Sequence, residues 1–205
     1  MENTKEFLIP NGFYHIYNRA NGNERLFLND NNFRYFLKKY WEYILPIADT
    51  YAYCLMPNHF HFLVEIKEHD EIIEEMKKRN KESFEEHKIN EKSESHISQE
   101  NISKFLSLQF SHLFNGYTQA FNKQNNRKGG LFMPSFKRKR IKDENYLKTT
   151  ILYIHQNPVE AGIAETVSDW KYSSYNPILN NEDPNLNRRL TISWFDDLDN
   201  FKFCH

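Results

Sequence analysis

Thr50-Tyr51-Ala52-Tyr53-Cys54-Leu55-Met56, then Pro57-Asn58, then His59-Phe60-His61-Phe62-Leu63-Val64-Glu65-Ile66: this stretch reads as two β-strands joined by a short turn. Both runs are rich in aromatic and β-branched residues, and Met-Pro-Asn interrupts them where a hairpin needs a turn. The second run alternates. Successive side chains of a strand point to opposite faces, so Phe60, Phe62, Val64 and Ile66 form an apolar face. His59, His61, Leu63 and Glu65 form the other.

Working outward, Phe13-Tyr14-His15-Ile16-Tyr17-Asn18-Arg19 follows Pro10-Asn11-Gly12 and reads as a first strand. A helix lies between it and the hairpin. Phe33, Phe36, Leu37, Tyr40, Trp41 and Ile44 recur at three- and four-residue spacing, Asp30 is placed to cap the start, and Pro46 ends it. Beyond the hairpin, residues 68–100 hold many Glu, Lys, Ser and Asn and few core residues. They read as a charged insert, either an exposed helical excursion or a partly disordered one. A second amphipathic helix carries Phe105, Leu108, Phe110, Leu113, Phe114, Tyr117 and Phe121 and ends near Asn125-Asn126. Phe136 to Ile141 reads as a fourth, basic strand. Asp143 then caps a third helix, with Tyr146, Leu147, Thr150, Ile151 and Ile154 on or near its buried face and Pro158 limiting it. The order β-α-β-β-α-β-α predicts an α+β fold, a ferredoxin-like split βαβ antiparallel sheet with helices packed on one face. Residues 1–180 are expected to form the domain, and a tail from 181 to 205, holding Trp194, is expected to pack on it.

Of the 205 residues 39% are hydrophobic and 16% aromatic, so Phe and Tyr must supply much of the core. The net charge of -1 says nothing about a nucleic-acid partner, but its distribution does: the stretch from Lys123 to Lys142 holds basic residues and no acid. Cys54 and Cys204 are too far apart and too few for a metal motif or a disulfide framework. No apolar run approaches the ~20 residues of a membrane span, and the segment from Met1 to His15 lacks the apolar core of a signal peptide. A cytoplasmic setting without a membrane partner is therefore expected.

Two imidazoles on one strand face can converge on a cation, although two such residues can equally be solvent-facing. A third ligand has to come from elsewhere. On the third helix Tyr153 and Asn157 are four apart and share a face. The Asn157 carbonyl oxygen suits a hard cation, which would leave Tyr153 one turn away. A tyrosine oxygen can attack a DNA phosphate, and a nearby cation favours the phenolate of a group whose ordinary pKa is about 10. Tyr117, on the other long helix, is the rival for that role. Lys137, Arg138, Lys139 and Arg140 put positive charge on both faces of the fourth strand, suited to a phosphate backbone or to protecting a sheet edge. Phe132 and Phe136 are candidates for base stacking.

Four segments together resemble one family. Met56 to Val64 is similar to the His-hydrophobic-His (HUH) motif of single-tyrosine insertion-sequence transposases. Phe13 to Arg19, Tyr153 to Gly162, and Asp169-Trp170-Lys171-Tyr172-Ser173-Ser174-Tyr175 resemble segments of their REP-associated branch. The resemblance runs from about residue 12 to 176, interrupted by the insert. It implies the HUH nuclease fold and a single-stranded DNA substrate, often with a hairpin near the cleavage site. The implied activity is metal-dependent cleavage and strand transfer through a 5′-phosphotyrosine, as in DNA transposition. It implies Mg²⁺ or Mn²⁺ held by His59, His61 and Asn157, with Tyr153 as nucleophile. Some relatives use Gln at the last ligand, and Gln156 is adjacent, but it lies ~100° around the helix from Asn157. Relatives include dimers, so a homodimer, with a tyrosine helix serving the partner's histidines, is left open. Two alternatives stand beside this reading: a non-catalytic binder of structured single-stranded DNA or RNA, and a metal-dependent nuclease without a tyrosyl intermediate.

Overall fold

The computed structural model describes residues 6–84 and 97–205. Four strands, β1 (Phe13–Arg19), β2 (Ala48–Met56), β3 (His59–Ile66) and β4 (Lys137–Ile141), form one antiparallel sheet in the order β2-β3-β1-β4. That is the order of a split βαβ sheet, the class expected from the sequence. Between the strands run α1 (Asp30–Ile44), α2 (His69–Phe84) and α3 (Gln99–Gln124), and α4 (Glu144–Glu160) follows β4. Short helices α5 (Tyr175–Asn180), α6 (Arg188–Ser193) and α7 (Leu198–Cys204) complete the chain. Among the described residues no helix is long and apolar enough to cross a membrane.

The apolar face of β3 carries the core. Tyr40 of α1 stacks on Phe62 with ring centroids 3.8 Å apart, and Phe36 sits 5.4 Å from Phe60. From α3, Phe114 reaches Phe60 at 5.4 Å. Thus α1 and α3 share one face of the sheet, as expected. The third long helix differs: α4 lies across the opposite face, over the histidines. That face also holds Ala52, Cys54 and Leu63, all buried, and an apolar surface of this kind needs a second layer over it.

Local chemistry sets the helix ends. Asn29, not Asp30, caps α1: its side chain accepts from the Asn32 N–H at 3.2 Å. Asp30 instead sits in the first turn, where a carboxylate favours the helix dipole, and pairs with Lys171. Helix α3 begins at Gln99, earlier than its aromatic stripe suggests, because Ser98 caps it within the charged insert. The first part of that insert is helix α2; residues 85–96, on which the rest of the expectation falls, lie outside the described residues. Asp143 caps α4 as expected, accepting from the Tyr146 N–H at 2.8 Å. Pro158 does not stop α4, which runs on to Glu160. Lacking an N–H, Pro158 costs one bond in the last turn, and the helix ends where Gly162 takes the left-handed conformation, φ 67°.

The chain after α4 runs along the outer edge of β2. Leu55 N–H donates to Tyr172 O, Ser174 N–H to Tyr53 O and Asn187 N–H to Thr50 O, so this edge strand is covered rather than open. Trp194 packs on Tyr51 and Phe13, at 4.8 and 5.7 Å. A buried chain of hydrogen bonds ties the same segment to α4. His205 Nδ1 donates to Phe201 O, which leaves its Nε2 to accept from His155 Nδ1. His155 Nε2 then accepts from Ser174 Oγ, and Ser174 Oγ accepts from the Tyr53 N–H. Each of these contacts spans 2.7 or 2.8 Å. The terminal carbonyl can only accept, so every proton in the chain has one place.

Candidate active site

The site is built on the polar face of β3 and on its neighbour β1. In their pairing Tyr17 lies opposite His61 and His15 opposite Leu63, so His15 and Tyr17 share a face with His59 and His61. His15 and His61 are both buried, and His15 Nε2 lies 2.8 Å from His61 Nδ1. Tyr17 stacks beside both rings, 5.6 Å from His61 and 4.8 Å from His15.

Helix α4 brings the third layer. The Tyr153 ring stands edge-on above His61 at 5.4 Å and above His15 at 5.9 Å, and Tyr153 itself is 41% exposed, open to a ligand from solvent. One turn on, Asn157 Oδ1 lies 3.3 Å from His59 Nε2, while the Asn157 amide donates to Tyr153 O at 3.0 Å. The other His59 ring nitrogen, Nδ1, is 2.7 Å from Asn58 Oδ1. Thus His59, His61, Tyr153 and Asn157, far apart in sequence, come together where β3 meets α4. A groove of about 340 Å³ opens beside them, lined by His15, Tyr17, His61, Lys139, Tyr146 and Tyr153, among others.

Electrostatics keep the imidazoles neutral. Burial, with Lys139 adding to it, holds His15 down at about 4. Burial, reinforced by His15 and His59, lowers His61 to about 2. Burial also lowers His59, partly offset by its contact with Asn157. Neutral imidazoles have lone pairs to offer, as a metal ligand must. Among the described residues no group of three His, Cys, Asp or Glu is placed to hold a metal.

The basic strand divides between faces. Lys137 pairs opposite Tyr17 and Lys139 opposite His15, which puts both on the face of the site, and the Lys139 ammonium sits 4.8 Å from the Tyr146 ring. Arg138 and Arg140 alternate to the side of α3. Arg138 donates to Ser107 Oγ at 2.6 Å and lies over the Phe136 ring, half-buried.

Three candidates are corrected. Tyr117 is buried on the far side of the sheet and donates its hydroxyl to Leu26 O at 2.5 Å, so it cannot meet a substrate at this site. Phe132 is core, packed among Phe36, Phe60 and Phe114. Phe136 packs on Phe110 and Phe114. Neither ring is an open stacking platform. The sequence reading missed His15 and Tyr17. Their signal was present in the alternation of β1, where Tyr14 and Ile16 are the apolar pair, but using it requires knowing that β1 lies beside β3.

No family model matches the chain. Over 182 residues it is 27% identical to a curated Haemophilus influenzae protein named as a REP-associated tyrosine transposase, covering 85% of this chain and 86% of that one. A solved structure of a REP-associated tyrosine transposase bound to a REP hairpin shares the fold, with a TM-score of 0.59 and 16% identity, covering 88% of this chain and 86% of that one. By class, then, the chain is similar to tyrosine transposases in both sequence and fold. Within that class it is a relative of the REP-associated branch, as the four sequence segments implied.

Proposed function

We propose that this protein cleaves and rejoins single-stranded DNA through Tyr153, in the course of DNA transposition. One observation carries the reading: an exposed phenol stands over a buried, neutral histidine pair, with Asn157 one turn along the same helix against His59. In the step, the Tyr153 oxygen attacks the phosphorus and forms a Tyr–O–P bond as the P–O3′ bond breaks. The phenolic proton is lost to solvent, and the leaving oxygen takes up a proton to become a 3′-hydroxyl. The 5′-phosphate stays esterified to Tyr153, and because the ester is conserved, a 3′-hydroxyl can reverse the step without ATP. The rings at 5.4 Å belong to one chain, so we take Tyr153 to serve its own chain's histidines, whether or not two copies associate.

The donor set fits Mg²⁺ or Mn²⁺. With the His59 proton on Nδ1 facing Asn58, its Nε2 lone pair faces Asn157 Oδ1, whose amide N–H groups point elsewhere. Two acceptors 3.3 Å apart in a partly buried place oppose each other unless a cation is shared between them. His61 would be the third ligand. Bound there, the ion supplies charge neutralisation at the phosphoryl oxygens. From the basic run we assign Lys137 and Lys139 to the DNA backbone. A hairpin near the cleavage site is the substrate feature we carry over from the hairpin-bound relative. We take residues 1–180, with the charged insert at about 68–100, as the nuclease unit and 181–205 as a tail packed on it.

The test is an SDS-resistant protein–DNA adduct with a hairpin-bearing single strand in Mg²⁺ or Mn²⁺. Tyr153→Phe is expected to abolish both adduct and cleavage while lowering DNA affinity by no more than about tenfold, since a lone hydroxyl contributes about 0.5–1.5 kcal/mol at most. Cleavage by the Phe variant would remove the nucleophile assignment. Binding without cleavage in the unaltered protein would favour the non-catalytic reading, and cleavage without adduct a nuclease of another kind.

A further inference from the structure

The contact between His15 and His61 is not accounted for by the cleavage step. Both rings are buried, and 2.8 Å separates His15 Nε2 from His61 Nδ1. Two neutral rings place one proton between those nitrogens, so the pair has two arrangements. In one, the proton is on His61 Nδ1, His15 accepts it, and the His61 lone pair is on Nε2. In the other, the proton is on His15 Nε2, the His61 lone pair is spent on His15, and its Nε2 carries a hydrogen. Only the first leaves a nitrogen of His61 to ligate a cation. A metal-binding imidazole is generally held by an acceptor at its other nitrogen, which fixes tautomer and ring orientation.

We propose that His15 is a positioning residue that holds His61 as the Nδ1–H tautomer and so prepares it to bind the divalent cation; this rests on the reading of His59, His61 and Asn157 as the metal site. Tyr17, stacked beside both rings, restricts their tilt. His15 itself takes no ligand position, because its Nε2 is occupied by His61.

Two measurements test the role without using activity. The first is Mn²⁺ affinity, from the loss of the free-ion EPR signal, for the unaltered protein, His15→Leu, His15→Gln and His61→Ala. The Leu variant removes the acceptor and is expected to bind Mn²⁺ about 10- to 100-fold more weakly. The Gln variant offers an amide oxygen and should recover most of that loss. The second is the long-range ¹H–¹⁵N spectrum of the unaltered metal-free protein, in which His61 is expected to show a protonated Nδ1. A protonated Nε2 there, or unchanged Mn²⁺ affinity in a folded His15→Leu, would overturn the proposal, and the spectrum decides even if the Leu variant does not fold. If His61→Ala leaves Mn²⁺ binding intact, His61 is not a metal ligand and the proposal falls with that assignment. An adduct persisting in Tyr153→Phe, by contrast, would strike the nucleophile reading alone.

Discussion

Lys137 and Arg138 are neighbours in sequence with opposite fates. Lys137 is exposed on the face of the histidines, while the Arg138 guanidinium is held by Ser107 and the Phe136 ring on the other face. Phosphate contacts show in the salt dependence of binding, at about 0.7 of a log unit per contact on a single strand. Lys137→Ala with Lys139→Ala should therefore reduce the salt slope of DNA affinity by about 1.4. Arg138→Ala should leave that slope unchanged and instead lower stability, by removing packing against α3. Filter binding at several salt concentrations, with urea unfolding of the same variants, separates the two outcomes. If Arg138→Ala moves the slope as much as the lysine pair, the division of the strand by face is wrong. The sequence showed the charge run clearly, but on its own it could not say which half of an alternating strand faces the site, since both halves are basic.

At the scale of elements, what was legible depended on how local the determining physics is. The β3 boundaries, the His59/His61 face and the Asp143 cap are written in period-two alternation and a single capping side chain, and the structure shows each of them. The start of α3 was less legible because its first turns are charged and its stripe begins late. The cap of α1 falls on Asn29 and not on Asp30; the two are chemically alike as caps, and only backbone conformation separates them. His15 escaped because its meaning comes from strand pairing, a non-local fact. The cap on α4 can be tested. Asp143→Ala leaves the Tyr146 N–H without its acceptor and should cost about 1 kcal/mol, with Asp143→Asn recovering most of it, as read from urea midpoints. Because α4 carries both Tyr153 and Asn157, fraying at that end should also weaken Mn²⁺ binding in the Ala variant and not in the Asn variant.

For the whole molecule, the buried histidines couple stability to pH. His15, His59, His61, His155 and His205 are all held below the ordinary histidine value by burial. In the unfolded chain they regain a pKa of about 6.5. Above that pH both states are neutral and no stability is lost. Below it the unfolded chain binds protons that the folded one refuses, so stability falls as pH drops from about 6.5, and for His15 the fall continues to about 4. In metal-free buffer the urea midpoint should therefore decline steadily from pH 7 to pH 5. A flat profile would mean that these rings are not neutral in the fold. Of the five, His155 has a consequence beyond its own proton. Each residue turns a helix by ~100°, so His155 points to the back of α4 while Tyr153 and Asn157, two residues to either side, point to the front. The bonds through Ser174 and His205 thus work as the detent of a dial: they fix the angle at which the helix stops, and a click of one residue would present Ile154 where the phenol now stands.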